Sequence, residues 1–314
     1  MWGRELNSMY FLTDEERKQL LKNYLPRSRQ SEIADELRGW NWNQPPLEPV
    51  YDLKLALYEI ANAYCPTNRD LFLRRVDGIK SQSNAAMLRG KILHQALVDI
   101  LVKAKKLIYM HGVTNYQKVL QELSRPTKIN LVQYRGQLAE EDLANLVGEA
   151  EMLTSFEASR IISRIQEILI KQPYIAEDSL AALVIPIVVE QKLDGSFLGL
   201  SQNLSADAFT FSEPMIIDLK FGEPQKFHRL TTTGYALVME AIYEFPVNLG
   251  CLVYASIKNG RLSVKKDIHI IDDELRQWFI EERDEKMRMI YEEIDPGIAN
   301  NCYGTCPNYH SCHG

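Results

Sequence analysis

Ile216-Ile217-Asp218-Leu219-Lys220 is the stretch on which the reading of this chain turns. Its apolar character predicts a strand, and strand residues two apart project from the same face, so Asp218 and Lys220 emerge together. A carboxylate and an ammonium in an apolar strand are costly to bury without a purpose. A lone acid-x-lysine triplet reads as an ion pair at a strand end. Here Asp207 lies near the end of the preceding strand, and a hairpin around Ser212-Glu213-Pro214 returns the chain beside it. Asp207 and Asp218 then come within reach of one divalent cation. Two hard carboxylate oxygens suit Mg2+ or Mn2+, which lowers the pKa of a bound water and offsets charge in phosphodiester cleavage. Lys220 would orient that water or stabilise the developing negative charge.

Outward from this strand the pattern is α/β. Residues 187–193 predict a strand, Asp194-Gly195 a hairpin turn, and 197–209 and 215–221 two further strands. Residues 224–245 predict a helix with Pro224 in its first turn. Strands are expected over 249–258 and 261–271, joined by Asn259-Gly260, the strongest short hairpin signal in the chain. A helix over 273–294 follows. The order is helix, three strands, helix, two strands, helix.

The preceding half predicts helices. Residues 1–62 are amphipathic, broken at Asn43-Gln44-Pro45-Pro46, with a helix over 53–63 that reaches a boundary at Pro66. A long helix over 85–110 carries Leu93, Leu97, Leu101, Ala104 and Ile108 at helical spacing, and 114–180 is mainly helical with a stripe of Ile161, Ile165, Ile168 and Leu169. The expected division is a helical region over 1–84, a second over 85–180, an α/β core over 181–295 and a cysteine-rich tail over 296–314. There is no internal repeat and no low-complexity tract.

His94 shares a helical face with Leu97, Val98 and Leu101, so it points inward. It is either a satisfied core histidine, the usual case for an isolated one, or a metal ligand facing the two aspartates. His228 and Tyr235, seven apart, share a face with Thr231 and Thr232; they pack the core or touch a nucleic-acid backbone at the mouth of the site. Glu190 is a weaker carboxylate candidate because its side-chain parity in the first strand is undecided.

The 314 residues suffice for a sizeable core and one or two domains, and 46% hydrophobic with 25% charged residues is ordinary for a globular protein. The net charge of -6 argues against a broad basic surface but not against a local groove. Arg69, Arg74 and Arg75, then Arg89 and Lys91, then Lys103, Lys105 and Lys106 form local basic clusters, each best read as a solvated helix face. No apolar run is long enough for a membrane span, and the opening Met-Trp-Gly-Arg-Glu-Leu lacks a basic-then-apolar leader, so a cytoplasmic protein without a membrane partner is expected. An odd count of five cysteines in a reducing compartment points to metal or redox chemistry. Cys302, Cys306 and Cys312 cluster in the tail, with Gly304 and Pro307 at turns. Cys65, followed by a proline as Cys306 is, is the natural fourth ligand, and Cys251 reads as a buried thiol. Four cysteines suit zinc or an iron–sulfur cluster; one distant cysteine with a clustered three favours the cluster, and His310 is a minor alternative ligand.

Together these segments resemble a known family, the CRISPR-associated RecB-like iron–sulfur exonucleases of spacer acquisition, in the longer archaeal type I-A subfamily. The resemblance is carried by the ordered set: Trp40 to Pro46, Tyr64-Cys65-Pro66 through Arg75, Gly90-Lys91-Ile92-Leu93-His94, Leu198-Gly199-Leu200 through Asp207, Ile217-Asp218-Leu219-Lys220, Gly234-Tyr235-Ala236-Leu237 and the three-cysteine tail. It implies a restriction-endonuclease-like PD-(D/E)xK core with a helical domain. It implies His94, Asp207, Asp218 and the Leu219 carbonyl around Mn2+ or Mg2+, with Lys220 catalytic and Tyr235 at the strand. Cys65, Cys302, Cys306 and Cys312 would hold a 4Fe-4S cluster. The implied substrate is single-stranded DNA or DNA with single-stranded ends, trimmed as spacer precursor; the implied partners are the CRISPR integrase proteins, and a homo-oligomer is compatible. The chain departs from the family pattern in having Thr231 where glutamine is common, Asp218 where glutamate is common, and one extra residue between the first two tail cysteines. Two other readings fit the same residues: a non-cleaving DNA-binding or integrase-docking iron–sulfur protein, and a redox sensor centred on the cluster.

Overall fold

A computed structural model describes residues 12–80, 83–127, 129, 131, 134, 136–302 and 306–313. The opening Met-Trp-Gly-Arg-Glu-Leu and the Gly304 turn lie outside the described residues.

Thr13 caps the first helix: its hydroxyl accepts from the Glu16 amide while the Glu16 carboxylate accepts from the Thr13 amide. Helix α1 (Asp14–Gln19) continues through a π-helical turn (Leu20–Tyr24) into α2 (Leu25–Gln30). The helical expectation for 1–62 is corrected beyond this point: the stretch is irregular apart from short 3-10 turns until α3 (Leu57–Ala61). The expected helix over 53–63 is shortened because Leu55 is diverted into a parallel bridge with Leu200. The Leu55 amide donates to the Gly199 carbonyl at 3.0 Å, and the Ser201 amide donates to the Leu55 carbonyl at 2.9 Å. Helix α4 (Arg69–Arg75) follows.

Helices α5 (Ala85–His111), α6 (Tyr116–Leu123), α7 (Glu140–Lys171) and α8 (Glu177–Val184) form one helical layer. The expected stripes are buried here: Leu93, Leu97, Leu101, Ala104 and Ile108 on α5 meet Ile161, Ile165 and Ile168 on α7.

Among the described residues the sheet has five strands in the order β1 (Val188–Leu193), β2 (Leu204–Thr210), β3 (Met215–Lys220), β4 (Leu249–Lys258) and β5 (Arg261–Ile270). All neighbours are antiparallel except β3 and β4, which run parallel across the helix α9 (Arg229–Tyr243). Asn259 and Gly260 have φ of 51° and 68°, the positive pair that a tight two-residue hairpin requires. The Asp194-Gly195 hairpin is a correction. β1 and β2 do pair, but residues 194–203 form a longer link, because Asp194 Oδ1 accepts from the Ser196 amide and Leu200 is held by Leu55. The second strand therefore starts at Leu204 instead of 197.

Helix α10 (Asp273–Tyr291), capped by Asp272, and the short α11 (Tyr309–His313) complete the chain. The sheet separates two cores. Ile217, Leu219, Cys251 and Val253 face α5, α7 and α8, whereas Phe209 and Ile216 face α3, α9 and α10. Strand β3 is thus buried on both sides, which explains its nearly continuous apolar sequence.

Candidate metal centre and active site

Helix α5 is anchored by Leu93 and Leu97, both fully buried, and this aims His94 at the sheet. His94 Nε2 lies 3.6 Å from Asp207 Oδ1 and 3.6 Å from Glu190 Oε1, beyond hydrogen-bonding range. The nitrogen is buried and has no hydrogen-bond partner, so His94 is not a satisfied core histidine. One ligand atom from each of His94, Glu190 and Asp207 falls within 4.8 Å of the other two, a spacing that one cation can bridge.

The backbone explains why these groups converge. The β1–β2 ladder pairs Val189 with Ala208 and Gln191 with Ala206, passing over Glu190 and Asp207. Glu190 has a φ of 52°, a left-handed conformation that costs a non-glycine residue on the order of 1 kcal/mol or more and concentrates at functional sites. Its other oxygen accepts from Ser205 Oγ at 2.7 Å. The β2–β3 ladder ends at Ala208 with Ile217, and one further step brings Asp207 opposite Asp218. Asp207 Oδ2 accepts from the Leu219 amide at 3.0 Å, which binds the acidic side chain to the neighbouring strand end.

Asp218 is buried, and Lys220 Nζ lies 2.9 Å from its Oδ2. This ion pair sets a neutralising charge directly against the buried carboxylate oxygen. Burial pushes the Asp218 carboxyl up to about 6; Lys220 opposes this and Asp207 adds to it. Burial alone would lower Lys220, but Asp218, Asp207 and Tyr64 outweigh it and the ammonium is held above its ordinary value. Asp218 stands outside the trio that meets within 4.8 Å, and Glu190 stands inside it.

A family model described as CRISPR-associated exonuclease Csa1 matches residues 9–314. The chain belongs to this family. It is 31% identical over 283 residues to a CRISPR-associated exonuclease Csa1 of Saccharolobus solfataricus, covering 90% of this chain and 92% of that protein. It is 30% identical over 282 residues to one of Thermoproteus tenax, again covering 90% and 92%.

In this Csa1-family chain the remaining sequence candidates are internal. Tyr235 is buried and its hydroxyl donates to the Ser205 carbonyl at 2.6 Å, bracing β2 behind Asp207. His228 is buried between the hydroxyls of Tyr64 and Tyr254, at 3.0 and 3.2 Å, and desolvation lowers its pKa to about 4. Thr231 and Thr232 are buried as well, so this helix face is core instead of an open strand-contacting surface. The basic clusters are largely engaged: Arg74 and Arg75 converge on Glu59, Arg69 pairs with Asp295, and Arg89 pairs with Glu149 while donating to the Phe221 carbonyl just after Lys220. Lys105 donates to the Ile187 carbonyl.

Cys251 is buried, and desolvation pushes its thiol up to about 12, an inert group. The other four cysteines are partly exposed and free. Among the described residues their sulfurs do not form a single-ion site. The segment after Cys65 nevertheless reaches the tail: Thr67 Oγ1 donates to the Gly297 carbonyl, and Arg69 binds Asp295. No helix among the described residues is long and apolar enough to cross a membrane.

The residue that sequence reasoning undervalued is Glu190. Its orientation depends on a left-handed backbone that no local signal announced, since glycine or asparagine would be the usual marker.

Proposed function

We propose that this chain is a divalent-metal-dependent deoxyribonuclease, an exonuclease that acts on single-stranded DNA or single-stranded ends and trims spacer precursors during CRISPR adaptation. The observation that carries the reading is the convergence of His94 Nε2, a buried atom without a hydrogen-bond partner, with carboxylate oxygens of Asp207 and Glu190 within 4.8 Å. Orphaned buried polar atoms are rare, and a mixed nitrogen and carboxylate set suits Mn2+ or Mg2+. His94, Asp207, Asp218 and the Leu219 carbonyl are the proposed ligands, and proximity adds Glu190. The ion would supply Lewis-acid activation of a water and neutralisation of phosphate charge.

The chain's own groups do the rest. Lys220, charged at neutral pH, sits where it can hold a nucleophilic water or the negative charge that builds on the phosphate. Asp218 keeps Lys220 in place through their contact. Tyr235 holds β2, and with it Asp207, in register. The five-stranded mixed sheet between α5 and α9 supports a PD-(D/E)xK core, with the segment before α5 and the tail as its accessories.

Cys65, Cys302, Cys306 and Cys312 are the proposed ligands of a 4Fe-4S cluster. The donor chemistry supports it, as does the approach of the Cys65 segment to the tail through Thr67 and Arg69. Cytoplasmic integrase proteins are the proposed partners.

The test is cleavage of end-labelled single-stranded DNA with Mn2+, comparing wild type with Asp218→Ala after matching their folded fractions. The variant is expected to lose product. Equal cleavage by both would remove the assigned site, and DNA binding without any metal-dependent product would favour the non-cleaving reading.

A further inference from the structure

Tyr64 directly precedes Cys65, yet its side chain turns toward the metal centre. Tyr64 is 59% exposed. Single exposed aromatics are common and mean little. This one is fixed at every end. Its hydroxyl bonds His228 Nε2 at 3.0 Å, and His228 is itself 4% exposed and held from behind by the Tyr254 hydroxyl. Phe227 meets the ring edge-on at a centroid distance of 4.9 Å and 85°. The Tyr64 amide donates to Asn62 Oδ1, and the buried Lys286 ammonium donates to the carbonyls of Ile60 and Asn62.

Lys220 lies opposite Tyr254 in the β3–β4 register, Tyr254 holds His228 and His228 holds Tyr64, so this aromatic group stands beside the lysine of the metal centre. The hydroxyl is engaged by the buried His228 while the residue as a whole stays exposed. A rigid, uncharged ring face beside an ammonium offers a nucleic-acid strand a surface for a base next to a site for its phosphate.

We infer that Tyr64 is a nucleobase-stacking residue, a platform that seats one base of a single strand next to Lys220. The inference rests on the nuclease reading for its substrate class and deepens it by assigning a strand-positioning residue. His228 is the neutral strut that sets the tilt of the ring. A phenol held in this way loses little freedom when a base lands on it, so most of the stacking energy is available for binding.

The test is an abasic scan. A short end-labelled oligonucleotide is titrated by fluorescence anisotropy with Ca2+ in place of Mn2+, and each base in turn is replaced by an abasic unit. In the wild-type protein one position is expected to cost about tenfold in affinity, the scale of one base–aromatic stack. Tyr64→Phe, which keeps a ring but loses the His228 bond, still shows a penalty at that position, smaller than in the wild type. Tyr64→Leu binds the intact strand about tenfold more weakly and becomes indifferent to the abasic unit there. Should the leucine variant melt early, a fluorescent base analogue at that position reports the stack in the wild type by quenching, and Tyr64→Phe must retain part of it. A Tyr64→Leu protein that retains the positional penalty, or a wild type with no such position and no quenching, overturns the inference. Absence of Mn2+-dependent cleavage by the wild type would sink the nuclease reading while leaving this comparison to be decided separately.

Discussion

Asp207→Asn should make the protein slightly more stable without metal and clearly less stable with it. Ligand atoms of Glu190 and Asp207 lie within 4.8 Å. Two unit charges at that distance repel by about 3 kcal/mol at an effective dielectric of about 20. Both side chains are partly exposed, 36% and 20%, so solvent screening reduces this to about 1 kcal/mol. Asparagine removes the charge but still offers an oxygen to the Leu219 amide, which Asp207 Oδ2 now accepts at 3.0 Å. The metal-free variant should therefore melt at the wild-type temperature or about 2–4 °C above it. Mn2+ at 100 times its dissociation constant stabilises the wild type by about 2.7 kcal/mol, roughly 5–10 °C for a chain of this size. A site weakened about a hundredfold gains only about 0.4 kcal/mol at the same concentration. The order of melting temperatures should invert between chelator and Mn2+, read by thermal unfolding with a metal titration. An equal Mn2+ shift in both proteins, or no shift in the wild type, would refute the assignment of Asp207 to the cation.

Three further outcomes are expected. Glu240→Ala strands the buried Arg276 and nearly buried Arg38 and removes acceptors from the Gly39 and Val247 amides, so denaturant unfolding should show a loss of about 3–5 kcal/mol. Burial lowers His228 and His269 each to about 4, so both are neutral in the folded state. The unfolded chain protonates near 6.5; stability is therefore intact above that pH and lost as pH falls toward 4, by about 2 kcal/mol per histidine at pH 5. A denaturation midpoint that does not move between pH 7 and pH 5 would contradict this. Cys65→Ser should abolish bound iron and visible absorption in anaerobically purified protein, whereas Cys251→Ser, at a thiol 1% exposed, should leave the iron-to-protein ratio unchanged.

Much of the architecture was legible because the periods were clean. The stripe on α5, the two-residue spacing of Asp218 and Lys220, and Asn259-Gly260 each encode local geometry that tertiary packing then kept. The order of strands around α9 followed from the same signals. Where the reading failed, long-range contacts had overruled local preference. Leu55 has helical neighbours but is taken by Leu200, and Asp194-Gly195 carries a turn signature inside a link anchored elsewhere. At the candidate site, strand spacing brought Asp207, Asp218 and Lys220 together, whereas residue type and spacing left His94 open between a core histidine and a ligand. Glu190 was ranked below the aspartates, because the sign of its φ decides which way it faces and sequence leaves that open. Tyr235 had the right neighbourhood, but its hydroxyl goes to a backbone carbonyl.

The least legible feature is the one that lets the irregular segment before α4 exist. A stretch with Pro45, Pro46 and Pro49 has few regular hydrogen bonds to offer, and buried carbonyls without donors are costly. Helix α10 reads as a polar surface helix, yet Arg276, Arg283 and Lys286 are at most 1% exposed. Arg276 donates to the Leu37 carbonyl, Arg283 to those of Pro46 and Leu47, and Lys286 to those of Ile60 and Asn62. These cations replace the missing backbone donors, and Glu240 and Glu282 balance the charge of two of them. The consequence reaches the site. Asn62 is the last residue so held, Tyr64 hangs from its side chain, and Cys65 follows, so the helix that leads into the cysteine tail also sets where the N-terminal cysteine and its aromatic neighbour stand. Replacing Lys286 with methionine would keep the packing volume and leave two carbonyls unmet, and on this argument it should disturb Tyr64 and iron retention before it disturbs the sheet.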